Sequence, residues 1–270
     1  MANMDLSTLL SACAPRAIPE LSLPAGLKIL ILAPHPDDFD AIAVTLKQLS
    51  DNGNQIYVAV ARTGSGVEDA YCPGFTLAQK ADLREDEQRQ SLHFFGLPED
   101  YITFLRLSND EDDQPLDNSE NNAAILTLIR KEAPDIVFLP HGNDTNSGHR
   151  AMYSLFSQAA RRSRRPFMAI LNRDPKTIGM RTDLYMPFGR EEADWKAQLL
   201  RFHDSQHQRN LRTRGHGFDY RILDVNLQIA RDLSIAHEYA EAFEVEIHDH
   251  PEQRIPTKAS SRRREDCGYT

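Results

Sequence analysis

Cysteine is scarce in this chain, and long apolar runs are absent. Of 270 residues only three are cysteines, Cys13, Cys72 and Cys267. They are far apart, odd in number and form no C-x-x-C pair, which argues against a disulfide framework and a thiolate zinc site. No apolar stretch approaches the roughly 18 residues that a membrane helix needs. The opening MANMDLSTLLSACAPRA has a short apolar patch without a basic flank, and Asp5 stands where a signal peptide would want Lys or Arg. These absences predict a cytoplasmic protein with reduced thiols. Basic residues are outnumbered 31 to 40, for a formal charge of −9 and an isoelectric point of about 5.6. That balance argues against a broad nucleic-acid surface or an anionic-membrane surface. The expected partner is a small molecule, and a homo-oligomer is compatible with the same numbers.

What is present is a globular composition, 40% hydrophobic, with no repeat of fixed period. From residue 27 onward short apolar runs alternate with helical segments, the pattern of an α/β domain: a Rossmann-like three-layer arrangement with a mostly parallel sheet flanked by helices. Strands are expected at LKILILA (27–33), QIYVAVAR (55–62), YITFLRL (101–107), DIVFLP (135–140), PFMAIL (166–171) and AEAFEVEI (240–247), with an extended segment inside 178–188. Helices are expected after residue 37 up to Gly53, then at 77–95, 121–133, 149–162, about 190–207 and about 219–236. Residues 1–25 read as an N-terminal extension and 26–250 as the domain. The polar tail 251–270 is expected to be disordered.

Ligands of parallel α/β sheets gather at the carboxyl ends of strands. Two histidine-acid clusters lie at such ends, PHPDD after the first strand and HGNDTNSGH after the fourth. A catalytic zinc site uses about three nitrogen or oxygen ligands and keeps an open position. His35, Asp38 and His149 supply such a set, leaving Asp37 free as a base. A divalent cation would also offset the mutual repulsion of the crowded carboxylates. The plainer reading is that an aspartate at a helix start is an N-cap or first-turn residue. His149, taken alone, would be a surface residue.

APHPDD together with HGNDTNSGH resembles the PIG-L/LmbE-like family of zinc-dependent de-N-acetylases, which remove acyl groups from amino sugars and their conjugates. PHPDD at 34–38 is similar to the family's A-H-P-D-D motif, and Asp144 with His149 to its D-x-H-P-D-H loop. LREDEQRQSLHFFG is similar to a further family helix through Arg84, Glu87 and Gly96, and RFHDSQ and YAEAFEV to late segments of bacterial members. The resemblance implies zinc, or another divalent metal such as Fe2+, held by His35, Asp38 and His149, with Asp37 as general base. It also implies an N-acetylglucosamine-type substrate, with Asp144 near it. The chain departs from the pattern in the second loop, where Asn146, Ser147 and Gly148 replace His-Pro-Asp, so the usual histidine acid is absent. Asn146 and His203 are the candidates for stabilising the oxyanion or protonating the leaving amine. The alternatives are an amidase of a thiol conjugate or other acylated metabolite, and a non-catalytic sugar-binding relative.

Arg62, in ARTGSGVE after the second strand, is a candidate substrate contact, although a plain turn explains the glycines equally well. Arg84 and Glu87, three apart on one helix face, read either as a solvated pair or, by the resemblance, as support for the site. His203 and His207 are four apart on an expected helix without the acid of an H-E-x-x-H motif. His203 reads as lining the cleft and His207 as surface.

Overall fold

A computed structural model of the chain describes residues 14–62, 66–110 and 114–248. The expected disordered tail at 251–270 lies outside the described residues. Eight strands form one sheet: β1 (Arg16–Ala17), β2 (Lys28–Ala33), β3 (Gln55–Val60), β4 (Ile102–Phe104), β5 (Ile136–Pro140), β6 (Phe167–Asn172), β7 (Leu184–Phe188) and β8 (Tyr239–His248). The helices are α1 (Ala43–Asp51), α2 (Leu77–Phe95), α3 (Ser119–Glu132), α4 (Ser147–Ser163), α5 (Arg190–Arg201), α6 (Asp204–Arg214) and α7 (Phe218–Asp232), with short 3-10 turns between some elements. The strand order is β1-β7-β8-β6-β5-β2-β3-β4. All neighbours are parallel except β8, which runs antiparallel to β6 and β7.

The alternation of side chains along β2 explains the three layers. Ile29, Ile31 and Ala33 enter one core with Phe39, Leu46 and Leu92, while Leu30 and Leu32 enter the other with Ile125, Ile129 and Phe156. A strand buried on both faces has no polar side to offer, which is why KILILA reads as a continuous apolar run. The chain goes from β2 outward to β3 and β4 and then returns to place β5 on the other side of β2. The reversal leaves a crevice outside the carboxyl ends of β2 and β5, the switch point where open α/β sheets bind ligands.

Two features depart from the expected elements. Arg16–Ala17 pairs with β7 as a short parallel edge strand. The helix expected over about 190–207 is two helices, because His203 leaves the helical region at φ −82°, ψ 60° and begins a new one as the N-cap of α6. His203 and His207 therefore do not share a continuous helix face.

Candidate active site

The turn leaving β2 is what brings the first cluster together. The backbone N–H of His35 donates to Asp38 Oδ2 at 2.7 Å, and the His35 Nδ1 atom lies 3.1 Å from the same oxygen. Asp37 stands at φ 129°, a conformation that non-glycine residues seldom adopt and that costs free energy unless the surroundings enforce it. The surroundings do. Its N–H donates to Gln88 Oε1 at 3.1 Å, its carboxylate lies 3.3 Å from Arg84 Nη2, and Arg84 also donates to the carbonyl of Pro36. The first regular turn begins only at Asp40, so neither Asp37 nor Asp38 is a helix cap.

The second cluster arrives on the loop after β5. Asn146 caps α4 by accepting the Gly148 N–H at 3.0 Å, which sets His149 in the helix's first turn. His149 Nε2 lies 3.4 Å from Asp38 Oδ1, and its ring centroid is 5.4 Å from that of His35. One ligand atom from each of His35, Asp38 and His149 can be chosen so that all lie within 4.8 Å of one another. His149 Nδ1 faces Asp144 Oδ2 at 3.3 Å, the carboxylate-histidine arrangement that fixes a ligand's ring and tautomer. Asp144, His149 and Asp174 form a second such group, but it shares His149, and Asp144 is absent from the cavity wall.

His35, Asp37, Asp38, Asn146, His149 and Arg62 all line one cavity of about 1050 Å³. Asp144 does not, because its carboxylate is consumed by His149, the Asn146 N–H and Thr177 Oγ1. It supports His149 rather than facing a substrate. His203 is likewise outside the wall: it is fully buried, with Nε2 at 2.6 Å from Asp40 Oδ2. Arg62 is buried with Nη1 donating to Gln114 Oε1 at 3.2 Å. Thr63, Gly64 and Ser65 of its loop lie outside the described residues. Arg84 and Glu87 are no solvated pair, since both are buried and Glu87 accepts the Ser205 N–H and Oγ–H at 2.6 and 2.7 Å. A side chain at Gly148 would place its Cβ 2.9 Å from His35 Nε2.

Burial and charge set the protonation states. Burial pushes the Asp37 carboxyl up to about 6, against the pull of Arg84 and with the help of Asp38. Burial also disfavours the Asp38 carboxylate, but His149 and His35 overcome it and hold Asp38 well below the usual range. Burial lowers the His35 pKa despite Asp38, keeping a neutral donor. The His149 pKa is lowered by burial and raised more strongly by Asp38 and Asp144, so a metal must displace a proton there. Two imidazoles and one carboxylate, open to a cavity, are a group that could hold a metal ion.

Residues 30–160 match the family model described as PIG-L: GlcNAc-PI de-N-acetylase. Over that segment, just under half of its length, the chain is similar to the PIG-L family. A diacetylchitobiose deacetylase of Thermococcus kodakarensis is 31% identical over 115 residues, 42% of this chain and 40% of the relative's length. The match thus spans about two fifths of that curated relative. Among solved structures, the N,N'-diacetylchitobiose deacetylase of Pyrococcus horikoshii is similar with a TM-score of 0.67 at 18% identity, over 82% of this chain and 84% of that one. GalB, the 4-carboxy-2-hydroxymuconate hydratase of Pseudomonas putida, is similar with a TM-score of 0.62 at 15% identity, over 83% and 96%. These structural likenesses, at under 25% identity, show the fold, and a fold alone does not choose a reaction. Among the described residues no helix is long and apolar enough to cross a membrane.

Sequence reasoning missed several residues of the cavity wall. Asp174, Gln206, Arg209, Arg214 and Arg221 line the cavity, and only the S-Q of RFHDSQ carried any signal for them.

Proposed function

We propose that the protein is a metal-dependent de-N-acetylase of an N-acetylated amino sugar or its conjugate. The observation that carries this reading is the convergence of His35, Asp38 and His149 in the cavity wall with Asp37 beside them. His35, Asp38 and His149 would hold zinc, or another divalent metal such as Fe2+. The ion's chemistry is to polarise the acyl carbonyl and acidify the attacking water.

Asp37 takes the water's proton as it attacks. A carboxyl held near 6 is ionised at neutral pH yet basic enough for the task. Arg84, at 3.3 Å, and the Gln88 contact to its N–H hold Asp37 in its strained turn. Asn146 lines the same cavity and is the candidate donor to the developing oxyanion. Asp37, now protonated, returns the proton to the departing amine, so one residue serves as base and acid where the usual histidine is missing. His203 acts through Asp40, holding the segment that follows the ligand turn, and is a positioning residue.

The test is to incubate metal-loaded protein with N-acetylglucosamine, its oligomers and its glycosides and to measure free amine. Release that stops on chelation is expected. Asp37→Asn should keep its metal and lose about 10²- to 10⁴-fold in turnover. Metal-loaded protein that releases no amine from any of these, or from N-acetylated amino sugars that carry an anionic group, would sink the reading.

A further inference from the structure

We infer that the cavity contains a subsite for an anionic group of the substrate, a carboxylate or a phosphate, at Arg214 and Arg221 with Arg209 beside them. That the anion belongs to the substrate rests on the hydrolase reading above; the cationic wall does not. Helix α6 ends at Gly215, whose φ of 77° is open to glycine at little cost, and Gly217 starts α7 two residues later. This short turn folds α7 back on α6, so that Arg209 and Arg214 from one helix and Arg221 from the next line the same cavity as His35 and Asp37.

Of the three cations, Arg209 pairs with an acid of its own chain and, among the described residues, Arg214 and Arg221 do not. Glu68, an acid of the same cavity wall, is taken up by Arg212 and by Arg209 at 3.8 Å. Among the described residues neither Arg214 nor Arg221 forms an ion pair or a side-chain hydrogen bond. Asp174 is within electrostatic range of Arg221 but belongs to the group around His149. Burial, and after it the like charges of Arg214 and Arg209, pull the Arg221 pKa below its ordinary value against Asp174 and Asp37. Basic side chains outnumber acidic ones seven to five in the described lining of this cavity, in a chain of net charge −9.

Holding like charges together costs free energy that an anion between them returns. Guanidinium forks match carboxylate and phosphate oxygens in pairs. A cavity with one sign of charge also focuses the field on a ligand of the other sign. Because Arg214, Arg221 and Asp37 line one cavity, the anion and the acyl group under attack share one space. The substrate class is therefore an N-acetyl amino sugar that carries a carboxylate or phosphate.

The test uses the zinc-loaded Asp37→Asn protein, which holds sugars without turning them over, in calorimetric titrations with N-acetylglucosamine, its 6-phosphate, N-acetylmuramic acid and inorganic phosphate. Either or both of the anionic sugars should bind about ten-fold or more tightly than the neutral one, and the better of the two names the anion. The preference should shrink at high salt. In the Arg214→Gln/Arg221→Gln double variant the ratio should fall to about two-fold or less, and Arg214→Gln alone, at an exposed position, should remove part of it. Equal affinity for neutral and anionic sugars, a ratio untouched by both variants, or sensitivity confined to inorganic phosphate would each overturn the inference. If the unmodified enzyme releases no amine from these sugars while the arginine-dependent preference persists, the hydrolase reading fails and the anion subsite stands.

Discussion

Two aspartate-histidine pairs lie beneath the same cleft. In one, Asp144 holds His149, whose other nitrogen faces Asp38 and the cavity. In the other, Asp40 holds His203, whose other nitrogen is buried without a hydrogen-bond partner among the described residues. Asp40 is further fixed by Ser91 Oγ–H at 2.7 Å and Gln88 Nε2–H at 3.2 Å, so this pair locks α2 and the start of α6 to the turn after Asp38. The chemistry of the two pairs is nearly the same. What separates a proposed ligand from a strut is whether the second imidazole nitrogen meets open space or packed protein.

The largest test of that contrast is to remove each imidazole. His149→Ala should lose its bound metal and with it essentially all activity, whereas His203→Ala should keep the metal, as read by plasma mass spectrometry of the dialysed proteins. Metal retained by His149→Ala would erase the distinction. The supporting carboxylates give a smaller effect. Asp144→Asn should weaken metal binding by about 10- to 100-fold, and Asp40→Asn should leave the metal affinity alone but lower the melting temperature, because it breaks a buried pair. Equal changes in metal affinity would place both pairs around the ion.

The smallest effect is a matter of pH. Burial pulls the His203 pKa down, but the Asp40 carboxylate, with help from Asp37, raises it above 6.5. A raised folded-state pKa means that the pair's contribution is complete below the unfolded value and is lost as pH rises through the folded one. Urea unfolding of the wild type should therefore show stability declining from about pH 6.5 upward, and His203→Gln should flatten that decline. An identical slope in the two proteins would show that His203 is neutral when folded.

Much of the sheet could be read in advance, because its strands are buried on both faces and stand out as apolar runs. The helix at 77–95 was legible to the residue, since Thr76 and Gln79 form a capping box at its start and Gly96 takes the left-handed turn at its end. The proposed ligands were legible because they crowd the ends of two strands, β2 and β5, that prove to be neighbours. The break at His203 was not, as neither glycine nor proline marks it and the polar pattern continues across it. Arg84 and Glu87 read either as a solvated pair or as support for the site, because charges on a helix ordinarily face water and only the resemblance argued otherwise. Their burial depends on the strained turn at Asp37 and on Ser205, both distant in sequence. The cationic wall was illegible for a similar reason: its arginines sit on two helices, and only the fold of Gly215 to Gly217 directs them to one space.

Gly148 has a consequence for the history of this loop. Many members of the resembled family carry an aspartate at this place, but here any side chain would run into the His35 ring, which is itself tied to Asp38 at 3.1 Å. Positions 35 and 148 are thus coupled, and the worth of a residue at one depends on the other. A larger residue at 148 therefore requires the His35 ring to shift, and with it the proposed ligand nitrogen.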